Sequence, residues 1–120
     1  MSVDILNITK QNFEQIVIKS SIPVVLIFLS KSYQSCKRMA QTVETLATQY
    51  LGSIIFGVVD VDDQSELSGQ LGIGGVPCML VLCGGRLLSN IGGELPLAHY
   101  KKVIDKLLLN TKCKKAAKKH

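Results

Sequence analysis

Residues 23–39 read PVVLIFLSKSYQSCKRM, and the change of pattern inside this stretch decides the fold. Pro23 breaks the chain, and Val24 to Leu29 follows as a β-branched and aliphatic run without alternation, as in a strand covered on both faces. A polar stretch, Ser30 to Ser35, leads into a longer helix. There Met39, Val43, Leu46, Ala47 and Tyr50 mark one face, while Lys37, Arg38, Gln41, Glu44 and Thr48 mark the other. Gly52 ends the helix.

Outward from this unit, the same two periods alternate. Towards the N-terminus, Val3 to Leu6 reads as a short edge strand. Thr9 then offers an N-cap, and Phe13, Ile16 and Val17 recur at helical spacing until Ser20 and Ser21. Towards the C-terminus, Ile54 to Val61 is the next strand, and a short helix spans Gln64 to Leu71. Gly72, Gly74 and Gly75 bring the chain to Pro77. Strands at Cys78–Leu82 and Leu87–Ile91 follow, joined by Gly84-Gly85, a strong hairpin signal. A last helix carries Leu97, Tyr100, Val103, Ile104, Leu107 and Leu108 on one face. The order β-α-β-α-β-α-β-β-α predicts an α/β fold. Its sheet is central, mixed and five-stranded, flanked by four helices and ending in an antiparallel hairpin.

The chain has 120 residues, 47% of them hydrophobic and 19% charged. That is room for one domain with a substantial core, and it excludes disordered and low-complexity classes. The longest apolar run, Ile22 to Leu29, falls far short of the roughly 20 residues of a membrane helix. The opening MSVDILNITK lacks a basic region followed by an apolar stretch, so the expected compartment is the cytoplasm, with its thiols reduced. The net charge of +5 resides wholly in Lys112, Lys114, Lys115, Lys118 and Lys119. Residues 1–111 are therefore expected to form the domain, and 112–120 a disordered, solubilising tail. Contact of that tail with nucleic acid or an anionic membrane is the minority reading.

With these segments in order, the sequence resembles the thioredoxin family over residues 3 to about 109. The resemblance is carried by Pro23 through Phe28, the segment from Cys36-Lys37 into the long helix, Val59-Asp60-Val61-Asp62, and Gly72-Ile73-Gly74-Gly75-Val76-Pro77. It implies the thioredoxin fold and a cis bond at Val76-Pro77. It also implies a surface around that bond and the helix start that receives an extended peptide by backbone hydrogen bonds. Tyr33, Gln34, Ser35, Val76 and Pro77 are the expected binding residues, a protein or extended peptide is the expected partner, and no cofactor or metal is expected.

The resemblance also exposes a departure. Working members carry Cys-x-x-Cys where the second strand runs into the long helix. The first Cys attacks disulfides as a thiolate and the second resolves the mixed disulfide. Here the segment reads Ser32-Tyr33-Gln34-Ser35-Cys36-Lys37. Tyr33 holds the attacking position and only the resolving-position Cys36 remains. Ile27 stands where the family has a buried aspartate that helps move the resolving thiol's proton. The implied function is a redox-inactive or redox-impaired partner-binding module. The alternative is an atypical thiol–disulfide oxidoreductase or redox switch.

Cys36 lies three residues before Met39 and seven before Val43, on the apolar stripe of its own helix. It reads first as a small apolar side chain packed under Tyr33. Under the alternative, Cys36 and Cys78 are the candidate catalytic residues. The resemblance makes them neighbours across the old active site, and a disulfide between them requires Cβ atoms about 3.5 to 4.5 Å apart. Cys83 reads as core, and Cys113 in the tail as an exposed thiol. Two thiols need two further ligands to hold a metal, and His99 and His120 have no ligand spacing. Asp60, Asp62 and Asp63 are expected to cap the helix that follows them. Gly72-x-Gly-Gly reads as backbone room before Pro77 rather than a dinucleotide loop.

Overall fold

The computed structural model describes residues 5–110. Residues 1–4 and 111–120, with Val3 and Asp4 of the expected first strand, the basic run and Cys113, lie outside the described residues.

Five strands form one mixed sheet: β1 (Leu6–Asn7), β2 (Val24–Leu29), β3 (Ile55–Asp60), β4 (Cys78–Cys83) and β5 (Arg86–Gly92). Their spatial order is β1-β3-β2-β4-β5. Both β1 and β2 run parallel to β3, and β4 runs antiparallel to β2 and β5. The run Val24–Phe28 has no exposed surface, because β2 is central and covered on both faces. Its alternate residues therefore feed two cores. Val25 and Ile27 join Met79 and Val81 beneath α1 (Gln34–Gln49) and α3 (Leu97–Asn110). Val24, Leu26 and Phe28 join Ile8, Val17 and Leu80 on the other face, with Leu67 of α2 (Ser65–Gln70).

The α1 stripe is Met39, Val43, Leu46 and Ala47, all buried, with Tyr50 just past its end. Gly84 and Gly85 close the β4–β5 hairpin at φ of +59° and +86°, a left-handed pair that residues with side chains rarely adopt. At Gly57, beside β1, the reason for glycine is space. A Cβ there would sit 2.5 Å from Ile8 Cγ1.

Three local expectations are corrected. The helical segment after Thr9 is a π-type turn, Glu14–Ile18, and its cap is not Thr9. Instead the Asn12 amide accepts from the Thr9 N–H at 2.8 Å and donates to the Asn7 carbonyl at 2.9 Å. Among the described residues strand β1 is Leu6–Asn7, ending one residue past the expected Leu6. The aspartates do not cap α2, whose N-cap residue is Gln64, without a side-chain cap bond. Asp60 accepts from the Asp62 N–H at 2.9 Å and Asp62 accepts from Ser30, so both serve the bend and the neighbouring strand end.

Candidate functional site

The parallel strands β2 and β3 end side by side, Leu29 opposite Asp60, so the segments that follow them share one edge of the sheet. Tyr33 has extended backbone (φ −115°, ψ 136°), and its carbonyl accepts from the N–H groups of Cys36 and Lys37 at 3.2 and 3.3 Å. It thus starts α1 while its ring stays out, 55% exposed. Gln34 is exposed and Ser35 half-buried on the first turn. Cys36 turns inward and is 3% exposed, with its sulfur accepting from the Ser30 N–H at 3.4 Å.

Ser30 is the node of this corner. Buried at the end of β2, it donates its hydroxyl to Asp62 Oδ2 at 2.8 Å and accepts from the Ser32 N–H at 3.2 Å. One buried residue thereby ties Cys36, the loop to α1 and the end of β3.

The Val76–Pro77 peptide bond is cis. It lies between the glycine-rich loop and β4. The Pro77 carbonyl accepts from the Gly93 N–H at 2.9 Å. The fully buried Tyr100 of α3 donates to the Gly93 carbonyl and accepts from the Leu95 N–H, both at 2.9 Å. Burial pushes the Tyr100 hydroxyl's pKa up. On the outer surface, Arg38 of α1 grips Glu94 with both ends of its guanidinium at 2.8 Å. That hydrogen-bonded pairing raises Arg38 and lowers Glu94.

A groove of about 470 Å³ runs between these parts. Tyr33, Ser32, Ser30 and Asp62 line it on one side, and Gly74, Gly75 and Val76 on the other. Pro77 faces a second hollow of about 280 Å³ beyond the glycine loop, shared with Cys78 and Asn90. Cys36 lines a third, largely apolar cleft of about 200 Å³ with Leu29, Ala40 and Val58. The structure therefore brings Tyr33 and Val76 to one groove, with Pro77 and Cys36 on its flanks. Gln34 and Ser35 lie beside it on α1.

Cys36 and Cys78 are both free thiols. Cys78 pairs with Phe28 across β2–β4 and packs in the core on the Phe28 face, away from the α1 stripe to which Cys36 belongs. Its thiol donates to Asn90 Oδ1 at 3.2 Å, and burial pushes its pKa up. Ile27 is fully buried in the α1-side core. Cys83 is buried and is not among the free thiols. Among the described residues no group of three or more His, Cys, Asp or Glu side chains is arranged to hold a metal ion, and no helix is long and apolar enough to cross a membrane.

Sequence reading missed Ser30, Asp62 and Tyr100 as builders of the site. The first two were within reach, because parallel neighbours end at the same edge of a sheet and their following residues meet there. Tyr100 read only as core, since periodicity reports burial and says nothing of where a hydroxyl points.

The comparisons with known proteins agree with this architecture. A family model described as Thioredoxin matches residues 4–106. The thioredoxin of Chlorobaculum thiosulfatiphilum is 31% identical over 97 residues, covering 81% of this chain and 90% of the relative. The thioredoxin of Haemophilus influenzae is 29% identical over 93 residues, covering 78% and 87%. Thioredoxin 1 of Nostoc sp. is 28% identical over 101 residues, covering 84% and 94%. On the family match and the fold together, the chain belongs to the thioredoxin family.

Proposed function

We propose that this thioredoxin-family protein is a redox-inactive or redox-impaired partner-binding module, which takes an extended segment of another protein into the groove beside Tyr33 and Val76–Pro77. One observation carries the reading. The residue that opens α1 and lines the groove is a tyrosine, while the only thiol in that helical turn is buried. By the family resemblance Tyr33 stands at the attacking position, so no sulfur is presented to a disulfide in the groove. Ile27 supports the same reading, since an apolar, fully buried side chain cannot move a proton for Cys36. The groove itself does not depend on a nucleophile. Docking of an extended segment uses backbone groups and side-chain pockets, both of which survive the loss of a cysteine. The free Cys36 and Cys78 thiols suit a reducing compartment such as the cytoplasm, whereas the disulfide-bonded Cys83 speaks against one.

The test is a disulfide-reduction assay with a dithiol donor, run on the protein and on its Cys36→Ser variant, beside amide chemical-shift mapping with extended peptides. The expected outcome is no turnover in either protein, with shifts concentrated at Tyr33, Gly75 and Val76. Turnover abolished by Cys36→Ser would overturn it. Loss in Cys78→Ser as well would assign the exchange to that pair, with two electrons and two protons passing from the thiols to the partner disulfide.

A further inference from the structure

We propose that the groove selects an extended segment carrying an arginine, whose guanidinium pairs with Asp62 and lies over the Tyr33 ring. The proposal rests on the partner-binding reading above and adds the chemistry of the partner.

Asp62 is the one charged residue that lines the groove, and no basic side chain lines it. Its carboxylate is oriented rather than loose. The Ser30 hydroxyl holds Oδ2 at 2.8 Å, and the Ser32 N–H in turn holds that hydroxyl. No ion pair among the described residues engages Asp62. The cations of the adjoining loops are already occupied, Lys31 with Asp60 at 3.8 Å and Lys10 with Glu66 at 2.7 Å. A fixed, unpaired carboxylate in a groove without cations favours a cationic occupant and opposes an acidic one.

The second feature is Tyr33. Its 55% exposed ring on the same groove offers a face to a cation. Arginine fits both features better than lysine does. Its planar guanidinium donates along its edge to a carboxylate while its face stacks on an aromatic ring, and it is more weakly hydrated than an ammonium group. Val61, Ile73 and Val76 supply apolar wall for the methylene stem.

The experiment uses short fluorescein-labelled peptides of Val and Ser, identical except for a central Arg, Lys, citrulline or Glu. Anisotropy titrations at low and high salt are run with the full chain, with Asp62→Asn, and with Glu44→Gln as a charge-matched control on the outward face of α1. Amide shifts at Gly75 and Val76 report whether the groove is occupied. The expected result is that Arg binds about three- to tenfold tighter than citrulline at low salt, with Lys between them and Glu weakest. Asp62→Asn should bring Arg down to the citrulline value, while Glu44→Gln should not. Equal affinity for Arg and citrulline, with Gly75 and Val76 still shifted, overturns the arginine preference and leaves the partner-binding reading standing. No shift at Gly75 and Val76 with any peptide overturns both.

Discussion

At the scale of single residues, Ser30 carries more of the site than its type suggests. Its backbone N–H reaches the Cys36 sulfur, and its hydroxyl joins Asp62 to the Ser32 N–H. Replacing it with alanine keeps the first contact and removes the other two. Because Ser32 and Asp62 are exposed, water can take over part of what is lost. The expected effect of Ser30→Ala is therefore a destabilisation of about 1 kcal/mol, read as a lower urea midpoint at unchanged slope. A cost several times larger would mean that Asp62 holds more of the loop than these bonds convey. Ser30 also shows where single-residue reading stops. A serine in a polar stretch looks solvated until the end of β3 is known to lie beside it.

Elements show how much of the fold was legible. Strand β2, the stripe of α1 and the Gly84–Gly85 hairpin could be read directly, because burial on both faces, one-sided helical burial and left-handed turn residues each leave a local pattern. The first helical segment and the aspartate bend were less legible. Thr9 is a good cap by type, yet the segment's N-cap residue is Phe13 without a side-chain bond, and the Asn12 side chain ties the Thr9 N–H instead. Asp60 and Asp62 looked like caps for α2 because residue type does not say that Asp60 takes the Asp62 N–H, and the Ser30 hydroxyl that Asp62 takes lies 32 positions away, outside any local window. The glycine-rich loop was legible as backbone room, yet its fastening to α3 was not. Tyr100 makes that fastening through Gly93, whose N–H holds the Pro77 carbonyl. Tyr100→Phe keeps the packing and leaves the Leu95 N–H and the Gly93 carbonyl without their partner. The expected loss is about 1–3 kcal/mol, together with faster hydrogen exchange at Leu95 and Gly93 than elsewhere in the sheet. Uniformly faster exchange across β4 and β5 would show that the hydroxyl stabilises the whole sheet rather than this corner.

Across the whole molecule, the ionisable groups with shifted pKa values set the pH range of stability. Tyr50 donates to Asp105 across the α1–α3 contact. Burial first, and the Asp105 hydrogen bond and charge after it, raise Tyr50; that hydrogen bond, with help from Lys101, lowers Asp105. Burial raises Tyr100 and Cys78. The two directions act at opposite ends of the scale. Asp105 and Glu94, the latter lowered by its hydrogen bond with Arg38, stabilise the fold above the ordinary carboxylate values of about 3.9 and 4.3. That contribution is lost as pH falls through their folded values. Tyr50, Tyr100 and Cys78, raised on folding, favour the native state fully below their ordinary values, about 10 for tyrosine and 8.5 for cysteine. Their contribution is lost as pH rises through the folded values. The melting temperature should therefore be flat around neutrality, decline gently in acid and fall more steeply in alkali, where three groups act together. Tyr50→Phe separates the limbs. It removes the hydroxyl that lowers Asp105, so the acid limb should shrink to the part Glu94 carries, while the alkaline limb should shrink but persist through Tyr100 and Cys78. Thermal melts of the two proteins across the pH range read this directly. An unchanged acid limb would show that Asp105 owes its low pKa to Lys101 instead, and a vanished alkaline limb would show that Tyr50 alone limits stability in base.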